Sequence, residues 1–364
     1  MDAVNETQSG LAGTLKTIIR TNGPMNIAAW MAHCLADPER GYYRSGEPIG
    51  AAGDFITAPE VSQMFGEIVG AWLIDLWQQQ GSPKRLNLVE LGPGRGTLMA
   101  DILRVAKLDA DFSAAVSVHM VETGTALRKA QEAALAPFSC PKDWHESLAS
   151  VPDGPFYLIA NEFFDALPVR QFVRQDGSWA ERMIGLDAAG DFTFGFGPGR
   201  PERAPEGAAH GDVFEERPAA LPVMDALSSR IARNGGAALI VDYGHAETGF
   251  GDTLQAVSHH RYADPLKDPG EVDLTAHVDF AALADAAEAG GAAVHGPMCQ
   301  GEFLLRLGLG ERAERLGFGR SEAEQAALRS DVIRLASPDE MGTLFKVLAV
   351  TPPGLQPPPF HEGS

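Results

Sequence analysis

The sequence has little cysteine, a deficit of positive charge and no long apolar run. Its three cysteines lie far apart among 364 residues and form no CxxC pair, which argues against a disulfide framework and a zinc cluster. No stretch of 18 apolar residues occurs, so no membrane span is predicted. Because 29 Lys plus Arg face 49 Asp plus Glu, the formal net charge of -20 opposes nucleic-acid binding. A basic protein partner is compatible with this charge, which otherwise serves solubility.

The first 20 residues also lack the features of a targeting segment. They carry two acidic residues before the first lysine and have no apolar core, unlike a signal or transit peptide. Together with the unpaired cysteines, this predicts a cytoplasmic protein. The apolar fraction of 45% and the charged fraction of 21% are typical of a folded globular chain.

Residues 1–80 are predicted to form a helical lead-in and a loop beside the active site. Two helical segments fall within 10–36, and a loop rich in glycine and proline follows. Asp54 in that loop is either a ligand contact or a structural residue. Thr57 and Glu60 have the spacing of a capping box for a helix that ends at Gly81.

Residues 81–352 alternate between strands and helices. Continuous apolar strands separated by helices are typical of an α/β fold with a parallel sheet covered on both faces. Antiparallel hairpins and a linker are predicted as an insertion at about 169–220, and residues 353–364 are predicted to be a disordered tail. The predicted strands of the first half are 86–91, 116–121, 142–145 and 155–161.

The stretch LNLVELGPGRGTL at 86–98 joins an apolar strand to a helix through three alternating glycines. Gly92, Gly94 and Gly96 allow a sharp turn and let a ligand approach the backbone closely. The third glycine follows the second by two positions, whereas the dinucleotide fingerprint has three. The loop therefore predicts a nucleotide-like ligand without identifying it.

Acidic residues near this loop favour S-adenosylmethionine over NAD. Glu90 would repel a pyrophosphate but suit a ligand with a sulfonium and an ammonium group. Glu122 closes the next strand, where a carboxylate can accept both ribose hydroxyls. The alternative is that both are solvated strand ends. Trp144, near the end of the following strand, is either a flat wall for adenine or a core residue.

The stretch NEFFDALP places three polar residues just beyond a buried strand, where open α/β sheets bind ligands. Glu162 can pair with a guanidinium in bidentate fashion, Asp165 can act as a second acceptor, and Asn161 can orient substrate or cofactor. A methylating enzyme must align a nitrogen lone pair and absorb positive charge, and carboxylates do both. The residues predict an acceptor site for an arginine side chain.

Two further motifs end or follow later strands. VDYGH places Asp242, Tyr243 and His245 at the same sheet edge, where His245 is either catalytic or structural. In DLTAHVDF, Asp273 and His277 are interpreted as a helix cap and a packed helix face, and no metal site is predicted.

Taken together and in order, GYYRSGEPIGAAGDFITAPEVSQMFGE, LVELGPGRGTLMADILR, NEFFDALPVRQF, VDYGH and DLTAHVDF resemble the MidA family of S-adenosylmethionine-dependent methyltransferases. The resemblance implies a seven-stranded class I methyltransferase fold. It implies that the three glycines and Glu122 bind the cofactor, and that Glu162 and Asp165 lie at the acceptor. Mitochondrial relatives methylate an arginine of a respiratory complex I subunit and help its assembly. Without a transit peptide, this chain is similar to bacterial members, whose substrate the family does not fix.

The sequence thus predicts an S-adenosylmethionine-dependent methyltransferase that acts on an arginine of a protein, with a complex I subunit as a candidate partner. One alternative is a non-catalytic assembly chaperone that binds S-adenosylmethionine as a structural ligand. Another is a nicotinamide-dependent oxidoreductase, which the glycine spacing and the two glutamates disfavour.

Overall fold

The computed structural model describes residues 10–45, 56–258 and 261–360. The helices in these ranges are α1 (Leu11–Asn22), α2 (Ile27–Ala36), α3 (Tyr42–Ser45), α4 (Ala58–Val61), α5 (Gln63–Gln79), α6 (Thr97–Ala106), α7 (Ala110–Ala115), α8 (Thr125–Leu135), α9 (Ala220–Asn234), α10 (Phe280–Ala289), α11 (Gln300–Arg306), α12 (Leu309–Gly317), α13 (Glu322–Ala336) and α14 (Met341–Leu344). The strands are β1 (Met25–Asn26), β2 (Leu86–Leu91), β3 (Val116–Val121), β4 (Lys142–His145), β5 (Phe156–Asn161), β6 (Arg170–Gln175), β7 (Ser178–Leu186), β8 (Phe192–Pro198), β9 (Val213–Glu216), β10 (Gly236–His245), β11 (Gln255–Ser258), β12 (Arg261–Ala263), β13 (Asp273–Thr275), β14 (Val278–Asp279), β15 (Ala293–Cys299) and β16 (Phe345–Thr351).

The central sheet has the strand order β4-β3-β2-β5-β10-β16-β15, and β14 pairs with the end of β10. The strands from β4 to β10 are parallel to one another, while β16 is antiparallel to both of its neighbours. The predicted α/β fold is confirmed, with a mixed sheet in place of an all-parallel one. Since β2 and β5 are adjacent, the loops that carry the two main motifs emerge side by side.

The central strands form because each is a nearly continuous apolar run that is buried on both faces. Every residue of β5 is buried, and so are the first nine residues of β10. One face of the sheet packs against α5 and α6, and the other packs against α9 and α10. The four strands predicted in the first half of the chain lie within one residue of β2, β3, β4 and β5.

The N-terminal helices and the insertion form a second layer together. Strands β6 to β9 make an antiparallel sheet, and β1 adds to it by pairing with β7. The hairpin between β6 and β7 turns at Asp176 and Gly177, both with positive φ, as the sequence predicted. Trp30 of α2 packs edge-on against Phe192 of β8 at a centroid distance of 4.8 Å. The lead-in therefore folds onto the insertion.

The predicted capping box at Thr57 is wrong. The Thr57 side chain makes no capping hydrogen bond, and the Glu60 carboxylate instead accepts a hydrogen bond from the hydroxyl of Thr97. The helix is interrupted at Ser62, whose hydroxyl caps the start of α5. A tertiary partner in α6 has replaced the local partner that the spacing suggested.

Two other stretches differ from the sequence predictions. Asp273 lies on strand β13, and the helix after it begins at Phe280 with Asp279 as its N-cap. The predicted disordered tail is packed through residue 360, because the Trp72 indole N–H donates to the carbonyl of Pro358 at 2.6 Å and the Phe360 ring lies 5.8 Å from the Phe303 ring. Across the described ranges, none of the helices combines the length and apolarity needed to cross a bilayer.

Candidate active site

A cavity of about 470 Å³ opens at the carboxyl ends of the central strands. The lining comes from the loops after β2, β3, β4 and β5 and from α2, α3 and β13. Five of its described lining residues are acidic and none of them is basic. The acidic residues are Glu122, Glu146, Glu162, Asp165 and Asp273. The cavity is therefore suited to cationic ligands and unsuited to phosphates.

The glycine loop that follows β2 forms part of the cavity lining. Gly92 and Gly94 line it with φ values of 58° and 51°, a region that side chains larger than glycine rarely adopt. A Cβ atom at Gly92 would lie 3.0 Å from Cδ2 of Phe163. Gly96, with φ of 83°, starts α6 and packs against Gln131, so it shapes the turn without reaching the cavity.

Glu122 reaches the cavity from the end of β3, as the sequence predicted. One carboxylate oxygen accepts the Gly124 N–H at 2.6 Å, and the other accepts from the Gln131 amide at 3.3 Å. Burial raises the pKa of Glu122, and these hydrogen bonds partly oppose the rise. The same Gln131 amide donates to the carbonyl of Gly94 at 2.8 Å, so it connects the glycine loop to the acidic residue.

Trp144, which the sequence offered either as a wall for adenine or as a core residue, is half-buried against the core and is not among the described residues that line the cavity. Its ring packs against the α5 and α6 side of the sheet, and its indole N–H donates to Gln131 Oε1 at 2.9 Å. Glu146, Ser147 and Leu148 line this part of the cavity instead. Trp144 therefore acts on the site only through Gln131.

Glu90 also lies outside the cavity lining, contrary to the expectation that it faces the ligand. Alternation along β2 places it on the face of Leu86 and Leu88, beneath α6. Its carboxyl group accepts the Met99 backbone N–H in the first turn of α6. Burial raises the pKa of Glu90 well above its ordinary value. Repulsion between Glu90 and a pyrophosphate is therefore a weak argument for S-adenosylmethionine over NAD.

Glu162 enters the cavity from a strained backbone position directly after β5. Its φ of 50° is uncommon outside glycine and aims the side chain across the strand ends. Its Oε1 accepts from the backbone N–H of Ala58 at 3.3 Å and from the Asn161 amide at 3.2 Å. Burial, and next the nearby Asp165 carboxylate, raise the pKa of Glu162 to about 8.

Asp165 lies beside Glu162 and is 5% exposed. Its Oδ2 accepts the Tyr243 hydroxyl at 2.6 Å, while Oδ1 meets no hydrogen-bond partner among the described residues. Asp242 holds this turn in place, because its Oδ2 accepts the N–H groups of Phe164 and Asp165 at 3.0 and 3.2 Å. Asp242 and Tyr243 of the VDYGH motif thus support and complete the same site.

The other predicted site residues lie elsewhere. Asn161 does not line the cavity, and its contact with Glu162 makes it a positioning residue for that carboxylate. His245 lies at a second cavity of about 390 Å³ on the other side of Arg217, with Nε2 at 3.9 Å from Asp279. Asp54 lies outside the described residues.

Sequence reasoning missed Gln131, Tyr43 and the cavity-facing side of β13. Gln131 carries a signal that sequence can show, because it stands between Leu127 and Leu135 on the buried stripe of α8. A fully buried amide on an apolar stripe needs partners, and here its partners are the glycine loop, Glu122 and Trp144. Tyr43 and β13 carry no such local signal.

The described residues fit S-adenosylmethionine better than a dinucleotide. The open backbone at Gly92 and Gly94 can accept a ligand in close contact, and the Glu122 carboxylate retains lone pairs for ribose hydroxyls. The lining supplies no described cation for a pyrophosphate, while its five carboxyl groups complement a sulfonium and an ammonium. Fold and site together define a class I S-adenosylmethionine-dependent methyltransferase.

Comparison with known proteins agrees. A family described as S-adenosyl-L-methionine-dependent methyltransferases matches residues 68–298. The chain is 39% identical to the mitochondrial protein arginine methyltransferase NDUFAF7 homolog of Drosophila melanogaster, over 96% of this chain and 87% of that protein. It is 35% identical to NDUFAF7 of Homo sapiens, over 92% and 81%. A Burkholderia thailandensis methyltransferase crystallised with S-adenosyl-homocysteine superimposes with a TM-score of 0.80 and 26% identity, covering 96% of this chain and 93% of that one. The chain belongs to this methyltransferase family.

The prediction of a cytoplasmic protein is wrong. The arginine methyltransferases of Drosophila melanogaster, Danio rerio and Homo sapiens that match this chain are all named as mitochondrial. Composition misled the prediction, because cysteine spacing reports on redox state and not on the compartment itself.

Proposed function

We propose that this methyltransferase transfers a methyl group from S-adenosylmethionine to an arginine side chain of a protein. The observation that carries the proposal is the cavity lining, in which Glu162 and Asp165 face the space beside the glycine loop and no described residue is basic. A guanidinium is a planar cation with five N–H donors, which two neighbouring carboxylates can align. The names of the relatives, protein arginine methyltransferases, support the same acceptor.

S-adenosylmethionine supplies a methyl group on a sulfonium, and sulfur keeps the bonding electron pair when the methyl leaves. The residues of this chain provide alignment, charge and a proton acceptor. Glu162 takes the proton that the guanidinium nitrogen loses as its lone pair forms the new N–C bond. Burial holds the pKa of Glu162 at about 8 in the free enzyme, and a cationic guanidinium bound beside it lowers that pKa and ionises the carboxyl group. The resulting carboxylate can then take the proton that the guanidinium gives up.

The neighbouring groups fix Glu162 for this task. The Ala58 N–H and the Asn161 amide both hold Oε1, which leaves Oε2 for the acceptor. The Tyr243 hydroxyl similarly holds Oδ2 of Asp165 and leaves Oδ1 without a hydrogen-bond partner among the described residues. The enzyme therefore works mainly by positioning and by electrostatic stabilisation of the added positive charge.

For the partner, we propose a core subunit of respiratory complex I. The support is the resemblance of the five motifs to the MidA family together with the match to the NDUFAF7 proteins. The net charge of -20 would favour encounter with a basic segment of that subunit.

The acceptor class is tested with two peptide libraries that share all positions except the centre. One library has arginine at the centre and the other has lysine, and both are incubated with the enzyme and a methyl-labelled donor. Mass spectrometry is expected to find label on the central arginine and none on the lysine. Labelled lysine would refute the arginine acceptor. Donor binding with no transfer to either library or to intact complex I subunits would favour the chaperone alternative.

A further inference from the structure

Strand β13 forms a wall of the cavity that lies outside the methyltransferase sheet. It belongs to a small antiparallel sheet with β11 and β12, and it stands across the cavity from the glycine loop. Asp273 and Thr275 both line the cavity and are both buried. Neither residue hydrogen-bonds the Glu162 carboxylate, whose Oε1 is held by Ala58 and Asn161.

Alternation along β13 separates a polar side from an apolar side. Asp273 and Thr275 are two residues apart and share the side that faces the cavity. Leu274 between them points the other way and is fully buried with Trp30 and Leu15 in the N-terminal core. The strand is therefore anchored by its apolar side while it presents a carboxylate and a hydroxyl to the ligand space.

Two buried oxygens in this part of the cavity have no hydrogen-bond partner among the described residues. They are Thr275 Oγ1, in a residue that is 2% exposed, and Asp165 Oδ1. Burial raises the pKa of Tyr243 and an interaction with the neighbouring Thr275 hydroxyl partly opposes the rise, although the two hydroxyls do not have full hydrogen-bond geometry. Because buried polar atoms are nearly always paired, a ligand with several N–H donors would complete this site.

A hydrogen bond positions the carboxylate of Asp273, as hydrogen bonds position the carboxylates after β5. Its Oδ1 accepts the Tyr43 hydroxyl of α3 at 3.1 Å. The Asp273 carboxylate is also close enough to Glu162 to contribute to the raised pKa of that residue. Three carboxyl groups thus converge on one space, and a single bound cation would relieve their mutual repulsion.

We propose that Asp273 and Thr275, together with Asp165 Oδ1, bind the N–H groups of the acceptor guanidinium that Glu162 leaves unbound. This inference rests on the proposed arginine acceptor. A guanidinium presents five N–H donors in one plane, whereas an ammonium presents three around a point. Acceptors spread over β13 and the adjacent turn after β5 therefore match the five donors of a guanidinium better than the three of a lysine, and β13 determines specificity.

The residues proposed to bind the acceptor lie apart from the side of the cavity that would bind the donor. Glu162 and Asp165 follow β5, whereas Glu122 follows β3, and β2 lies between those strands. Two strand spacings amount to about 10 Å. The ammonium group of the donor is the other cation that could bind Asp273. Kinetics in which donor and acceptor are varied in turn distinguish binding of the donor from binding of the acceptor.

The test uses Thr275→Val and Asp273→Asn in the full chain, with Glu271→Gln as control. Glu271 is exposed, lies two residues before Asp273, and loses the same charge without touching the cavity. Thr275→Val keeps the shape of the side chain and removes a hydroxyl without a partner, so the variant should be at least as stable as the wild type. Thr275→Val therefore still tests the proposal if Asp273→Asn fails to fold.

Initial rates are measured with the arginine-centred library and with S-adenosylmethionine, each varied in turn. The expected result is an apparent KM for the library about 10-fold higher in Thr275→Val, with the donor KM within about twofold and the melting temperature not lowered. Glu271→Gln should match the wild type. Unchanged library KM in Thr275→Val and in any folded Asp273→Asn, or an increase confined to the donor KM, would overturn this assignment while arginine methylation stands. A wild-type enzyme that methylates no arginine would overturn the proposed function and this inference with it.

Discussion

At the scale of single residues, Gly92 shows how closely the loop is built around a ligand. Its φ of 58° and the 3.0 Å approach of Phe163 to a Cβ at this position leave no room for a side chain. Gly81 has a similar φ of 81° but faces open space, so it is a matched control.

We expect Gly92→Ala and Gly81→Ala to lose similar stability, about 1 kcal/mol each, because alanine is strained at positive φ. Only Gly92→Ala should also lose affinity for S-adenosylhomocysteine, by about 10-fold or more, since Phe163 must move into the cavity. Calorimetric titration of both variants measures this. Equal affinities in the two variants would show that the ligand does not touch this loop.

Glu162 is expected to reduce the stability of the protein at neutral pH. Its pKa is about 8 in the folded chain and 4.5 as its ordinary value. Below pH 4.5 both states are protonated, so the residue has no effect. Between pH 4.5 and 8 the unfolded chain ionises while the folded chain stays protonated, and the free energy of unfolding falls as the pH rises.

We therefore expect Glu162→Gln to raise the free energy of unfolding by about 1 to 3 kcal/mol at pH 7 and to leave it unchanged near pH 4. Urea unfolding at both pH values measures the difference, with the exposed cavity residue Glu146→Gln as control. A Glu162→Gln variant less stable than the wild type at pH 7 would show that the carboxylate is stabilised by its surroundings.

At the scale of elements, α8 connects the two ends of the cofactor site through one buried amide. Gln131 donates to Gly94 and Glu122 and accepts from Trp144. Gln131→Met keeps the volume and leaves these three groups without their partner. We expect a loss of about 2 kcal/mol in stability and about 10-fold in affinity for S-adenosylhomocysteine.

Gln79→Met on α5 is the control for that change, because Gln79 is exposed and bonds only Asp75 within its own helix. It should affect neither quantity. If Gln131→Met bound the ligand as tightly as the wild type, the link between α8 and the glycine loop would have no functional role.

Elements that are determined locally could be predicted from sequence. The strands β2, β3 and β5 are continuous apolar runs, and burial on both faces of a parallel sheet requires such runs. β13 could not be predicted, because Asp273 and His277 also have helical spacing and the partner of Asp273, Tyr43, lies 230 residues away in the sequence. The Thr57 cap failed for the same reason, since Thr97 is a distant partner for Glu60.

The same distinction between local and distant determinants applies to the residues near the cavity. Positions just after a strand, such as Glu122 and Glu162, could be predicted because the carboxyl ends of parallel strands meet at one edge. Glu90 and Trp144 lie within strands, where the face that a side chain takes depends on the helices packed above it. Sequence spacing alone did not fix that face.

At the scale of the whole molecule, the fold places two kinds of wall around one acidic space. The central sheet contributes the glycine loop, Glu122 and the turn after β5, while the N-terminal layer and β13 contribute Tyr43 and Asp273. The first wall is common to ligand sites of open α/β sheets, and the second is specific to this arrangement of insertion and lead-in. Acceptor recognition therefore depends on how the two layers meet.

The central claim is that Glu162 receives the proton of a cationic acceptor at this junction. The most direct test is the single-turnover rate of methyl transfer to the arginine-centred library by Glu162→Gln, compared with Glu146→Gln, which removes another carboxylate of the same cavity. We expect a rate lower by about 100-fold or more for Glu162→Gln, unchanged donor affinity, and a nearly wild-type rate for Glu146→Gln. A wild-type rate in Glu162→Gln would rule out this role of Glu162.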